Sequence, residues 1–125
     1  MRERLLRAVL IGVGLIALAG VYPLMQLWPT GWRWQPYHPP YEHMIIAVYA
    51  VLGLFLLIAA RQPERHRTLI LFAGWSSLAH GIVMGIDALR TATERGHLVA
   101  DVPALLVAGA LLLILRPRRQ VSDGA

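Results

Sequence analysis

Four long apolar runs, separated by short polar or proline-rich stretches, dominate the chain. The first extends from Leu5 to Trp28 and is interrupted only by Pro23 and Gln26; the second covers Glu42 to Ala60, the third Thr68 to Leu89, and the fourth about 98 to 115. At a rise of ~1.5 Å per residue, the first three are long enough to cross a hydrocarbon core of ~30 Å. In the fourth, Asp101 followed by Pro103 reads as a helix start, with Asp101 as cap and the proline in the first turn. A regular helix from Val102 to Leu115 would cover only about 21 Å, so part of 96–100 is expected to be helical as well or to lie in the interface. The expected fold is all-helical: an integral membrane bundle of four transmembrane helices over 1–116, then a small, disordered polar tail over 117–125.

The connections sharpen this picture. Residues 28–41 read WPTGWRWQPYHPPY. Pro29, Pro36, Pro39 and Pro40 preclude a continuous helix there, so an irregular loop is expected. Trp28, Trp32, Trp34, Tyr37 and Tyr41 suit an interfacial belt, where amphipathic rings favour the headgroup level, better than a lid over a pocket. Arg61 to Arg67, RQPERHR, is a tight polar turn. At the N-terminus, Arg2, Arg4 and Arg7 followed by Ala17-Leu18-Ala19 also fit a cleaved signal peptide. The apolar character continues through Val21, Tyr22, Leu24, Met25 and Leu27, which favours a span.

Composition agrees. The 125 residues are 57% hydrophobic and 15% charged, and the mean hydropathy of +0.55 is too high for a soluble domain of this size. The net charge of +5 and pI near 10.7 could suggest nucleic acid, but all twelve basic residues are Arg and most flank apolar runs. Nine of them (2, 4, 7, 61, 65, 67, 116, 118, 119) fall in the N-terminal segment, central turn and tail, against three (33, 90, 95) in the other two loops. This is the positive-inside pattern, so both termini are expected in the cytoplasm and no nucleic-acid partner is expected. The chain has no cysteine, which excludes disulfides and thiolate chemistry.

On that topology, polar residues from distant stretches gather in the outer half of the bundle: Glu42 and His43, His80 and Asp87, His97 and Asp101. An ionisable residue inside an apolar span is costly unless it meets a partner or a wet cavity. Within the third span, Ser76, His80, Met84 and Asp87 share one face. Ala73, Ser77, Gly81 and Gly85 form a neighbouring small-residue ridge suited to close helix packing; the sequence does not say which helix packs there, with Gly12 and Gly20 of the first span or Ala47, Ala50 and Gly53 of the second as candidate opposing surfaces. Glu42, Ile46, Tyr49 and Gly53 share a face of the second span. His80 reads as a neutral imidazole bonded to a neighbouring helix, or as a ligand- or proton-binding group. His80 and Met84 at i, i+4 could take a soft metal only if His43 joined them from another helix. Asp87, near a helix C-terminus, calls for a cation, with Arg90 the nearest. No nucleophile motif, HExxH or phosphate loop is present, so catalysis is disfavoured and no catalytic residue or cofactor is expected.

Several of these stretches resemble a family of small bacterial four-span membrane proteins known as a domain of unknown function. The features that look alike are Tyr22-Pro23, Trp28-Pro29 with Gly31-Trp32, Pro40-Tyr41-Glu42 with Met44, Trp75-Ser76-Ser77 with His80-Gly81, and Glu94-Arg95-Gly96-His97-Leu98 with Asp101-Val102-Pro103-Ala104. The resemblance implies a bacterial inner-membrane location and brings no activity. Two functions follow as expectations: binding of a small molecule, lipid, ion or proton through the polar cluster, or an accessory subunit packing against a membrane-protein partner or another copy.

Overall fold

The computed structural model describes residues 1–34 and 38–118; the polar tail from 119 onward and Tyr37 lie outside them. The described residues are helical throughout, without strands. The first long helix, α1, runs from Arg2 to Leu27 and widens into a π turn over Ile16–Gly20. Pro23 accounts for the widening. It has no N–H to donate back to the preceding turn, and its ring crowds the carbonyl four residues earlier, so the backbone ladder just before it shifts by one residue. Ala17, inside the alternative cleavage motif, is buried within the bundle.

A single turn, α2 (Pro29–Trp32), follows. The second long helix, α3 (Pro39–Ala59), starts three residues before Glu42, earlier than the prolines of this stretch suggest. Pro39 and Pro40 occupy its first turn, where an N–H has no intrahelical acceptor and the fixed φ of proline is already helical. A 3-10 turn over Pro63–His66 leads into α4 (Arg67–Arg90). A longer 3-10 segment, Ala92–Val99, then bends by 41° at Ala100 into α5 (Asp101–Leu115). Among the described residues three helices, α1, α3 and the 63–90 unit, are long and apolar enough to cross a membrane, and the bent pair makes a fourth if it counts as one span.

The helices alternate in direction, so the start of α1, the 63–66 turn and the end of α5 share one end of the bundle. At this terminal end Leu6, Leu10, Leu56, Ala60, Ile70, Ala73, Leu112 and Leu115 form the core. Arg2 donates to the carbonyls of Ile114 and Arg116, both at 3.0 Å, and so satisfies acceptors that the end of α5 leaves open. Large apolar side chains such as Phe72 and Trp75, each 64% exposed, cover the outside.

Glycines set the two closest helix crossings. A Cβ on Gly53 of α3 would sit 2.5 Å from the Gly14 carbonyl oxygen and 2.5 Å from the Leu18 nitrogen of α1. A Cβ on Gly109 of α5 would meet the Gly74 carbonyl oxygen of α4 at 2.8 Å. These contacts pair α1 with α3 and α4 with α5, while α3 and α4 barely touch. The small-residue ridge, whose partner the sequence leaves open, faces α5. Gly81 lies under Leu105 and Leu106 of α5, and Gly85 approaches Val102; neither α1 nor α3 covers them. Helical periodicity shows which residues share a face but not which neighbour the face meets.

Candidate functional site

The gap between the two helix pairs is a cavity of about 440 Å³ in the half of the bundle away from the termini. Its walls are mostly apolar, with Ala17, Met25 and Leu56 among them. Its polar members are Tyr49 of α3, Ser77, His80 and Asp87 of α4, and Asp101 of α5; Trp32 and Trp34 of the 28–34 segment also line it. Ala73, the first residue of the expected ridge, closes the cavity toward the core, and Met84 completes the α4 wall.

The Tyr49 hydroxyl and His80 Nδ1 are hydrogen-bonded across the α3–α4 gap, with the two rings stacked at a centroid distance of 5.9 Å. The face of α3 that carries Tyr49 and Gly53 turns inward: Tyr49 is half-buried and Gly53 buried. On α4 three members of the expected stripe, His80, Met84 and Asp87, line the cavity, but the serine that joins them is Ser77 and not Ser76, which donates to the Ala73 carbonyl of its own helix at 3.3 Å.

Beside the cavity stands a polar assembly centred on His97. Glu94 in the 3-10 segment, His97 and Asp101 follow one another at spacings of three and four, so they share one side of the bent chain. His97 is fully buried. Its Nδ1 lies 2.9 Å from both carboxylate oxygens of Asp101, and its Nε2 lies 3.0 Å from Glu94 Oε2. The Glu94 approach is at ion-pair distance but out of line for a hydrogen bond. Trp34 stacks on the imidazole, centroids 4.0 Å apart and planes 17° apart, and its Nε1 donates to Asp101 Oδ2 at 3.0 Å. Asp101 is thus the first helical residue of α5 and not its cap, a position held by Ala100. Its carboxylate is drawn to the imidazole and the indole instead.

The 28–34 segment that delivers Trp34 is docked at two further points. A Cβ on Gly31 would meet Ala100 Cβ at 2.5 Å, and one on Gly96 would meet the Thr30 carbonyl oxygen at 2.6 Å. The Arg33 guanidinium grips Glu42 with two hydrogen bonds of 3.0 and 3.1 Å, which ties the segment to the start of α3. The aromatic stretch is therefore divided. Trp32 and Trp34 close one end of the cavity, while Trp28 and Tyr41 are exposed as a belt requires.

Of the residues expected at a site, Tyr49, His80, Met84, Asp87 and Asp101 meet at the cavity. Glu42 is held by Arg33, and His43 is exposed outside the cavity wall, so His43, His80 and Met84 do not assemble as metal ligands. Among the described residues, no three His, Cys, Asp or Glu side chains form a metal site. Asp87 makes no ion pair with Arg90 or any other described residue; it sits exposed at the cavity wall. Sequence reasoning did not single out Glu94, Arg33 and Trp34 as site residues, and it placed His97 no more closely than the outer half. The three-and-four spacing of 94, 97 and 101 in a polar stretch was the available signal.

The chain is thus an all-helical protein whose helices suit a membrane and enclose an apolar cavity with a polar edge. It belongs to the Family of unknown function (DUF6632), whose model matches residues 2–122. No curated protein and no solved structure matches it.

Proposed function

We propose that this chain is a four-span protein of the bacterial inner membrane, with both termini cytoplasmic, that binds a small molecule with an apolar body and a polar end between its spans. The cavity carries the reading. Its volume falls within the range of roughly 300–1,000 Å³ usual for small-molecule sites, and like them it is apolar with a few convergent polar groups. The apolar body lies against α1, α3 and α5, and the polar end reaches Tyr49, His80 and Ser77. The arginine bias supports the orientation, which puts the cavity in the outer half.

Filling the cavity tests the binding. Ala108 is half-buried and lines the α5 wall. Ala108→Phe is expected to leave the helical bundle intact while mass analysis of an organic extract loses a molecule that co-purifies with the unchanged protein. If the two extracts are identical, the cavity does not hold a ligand and the accessory-subunit function replaces this one. For the orientation, a reporter active only in the cytoplasm should work at Ala125, and one active only outside should work at Gln35. Silence from both reverses the topology.

A further inference from the structure

We infer that the polar end of the cavity selects an uncharged hydrogen-bond acceptor, a ketone, ester or quinone carbonyl on an apolar body, over a charged group. This deepens the binding reading above and rests on it. The inference comes from which hydrogen-bonding groups of the wall are already engaged. Asp101 is occupied: His97 Nδ1 lies 2.9 Å from both its oxygens and Trp34 Nε1 donates to one of them at 3.0 Å. It has little left to offer a ligand's ammonium or hydroxyl. The remaining carboxylate, Asp87, is exposed.

The donors are in the opposite condition. Tyr49 and His80 share one hydrogen bond, and either assignment of its proton leaves a donor over. If the hydroxyl donates to Nδ1, the imidazole keeps an Nε2–H; if Nδ1–H donates, the tyrosine keeps its O–H. Ser77, one turn before His80 on the same wall, has a hydroxyl that makes no hydrogen bond among the described residues. A ligand that accepts hydrogen bonds completes this set. An anion would meet two carboxylates and no arginine among the described wall residues; a cation beside Tyr49 and His80 would meet spare donors, the unpaired carboxylate of Asp87 standing two turns further along α4, about 10 Å away at ~1.5 Å per residue.

The discriminating experiment measures equilibrium dialysis of four naphthalenes into nanodiscs carrying the full chain, with uptake by empty nanodiscs subtracted. The probes are 2-acetylnaphthalene, 2-isopropylnaphthalene, 2-naphthoate and 2-naphthylmethylammonium, which share one apolar body. The ketone is expected to bind saturably and about tenfold more tightly than the hydrocarbon, the margin of one or two hydrogen bonds. Combining Tyr49→Phe with His80→Leu should reduce that margin to about twofold. Retained binding of the hydrocarbon by this double variant shows that its cavity is intact. Equal affinity for ketone and hydrocarbon, a charged probe that binds more tightly than the ketone, or an undiminished margin in the double variant overturns the inference while leaving the cavity as a binding site. Absence of saturable binding by all four overturns the binding reading itself.

Discussion

Gly53→Ala is expected to cost about 3 kcal/mol or more, although a single methyl group in a helix would ordinarily be stabilising. The new Cβ would lie 2.5 Å from the Gly14 carbonyl oxygen and 2.5 Å from the Leu18 nitrogen. Both are backbone atoms in the middle of α1, so neither can swing aside as the end of a side chain could. The two helices must separate, and every contact along the α1–α3 seam lengthens with them. Gly12→Ala is the matched comparison. It makes the same chemical change on α1, two residues before Gly14, where nothing lies within 4 Å of the added atom. Denaturation in detergent, followed by circular dichroism and tryptophan fluorescence, should show a large loss for the first variant and none for the second. Equal midpoints would mean that α1 and α3 do not cross at these glycines.

His97→Leu is expected to be of similar severity, about 3–5 kcal/mol, for an electrostatic reason. The imidazole lies between two carboxylates that are themselves almost completely buried, with side-chain exposures of 5% for Glu94 and 6% for Asp101. Leucine fills the space but leaves two buried acids without the group that separates them. Removing one partner of a buried polar cluster is far more damaging than the cluster is stabilising, because the others stay desolvated. Trp34 would also lose the ring on which it stacks. The same denaturation experiment should therefore show destabilisation, accompanied by a change in tryptophan emission. Restored stability in a variant that also carries Glu94→Gln and Asp101→Asn would identify uncompensated charge as the cause; without such rescue, lost packing is responsible.

What the sequence made legible follows from the range over which its signals act. Apolar runs report their own length, so the long helices were readable. That Tyr49 and Gly53 share a face of α3 follows from helical period alone. The identity of the facing helix does not, because period carries no information about neighbours; α5 covers the glycine ridge of α4, a partner that the spacing cannot name. The same gap explains Ser76 and Ser77: His80, Met84 and Asp87 line the cavity, and which of two adjacent serines joins them depends on where the neighbouring helices stand. Pro29, Pro39 and Pro40 stand where the helices are interrupted, and each also lies in the first turn of the helix that follows, a second effect that depends on its place in that turn. Asp101 looked like a cap because the pattern of a cap is local, and its actual partners are an imidazole four residues away and an indole 67 residues away. His80, the obvious polar residue of an apolar span, makes one bond to Tyr49; the more connected histidine is His97, in a stretch whose polarity made it resemble an ordinary loop.

The π turn of α1 governs how that helix can serve two neighbours. Its inward residues are Leu6, Leu10, Gly14, Ala17, Val21 and Met25, spaced four, four, three, four and four. A straight α-helix advances about 100° per residue, so over the 19 positions from Leu6 to Met25 it would overshoot five whole turns by roughly 100°. The extra residue held in Ile16–Gly20 absorbs that angle. The lower half of α1 can then keep Gly14 in register with Gly53 while the upper half keeps Val21 and Met25 on the cavity. The phase of the cavity wall is thus set by one residue's worth of slack in the backbone, independently of the seam below it.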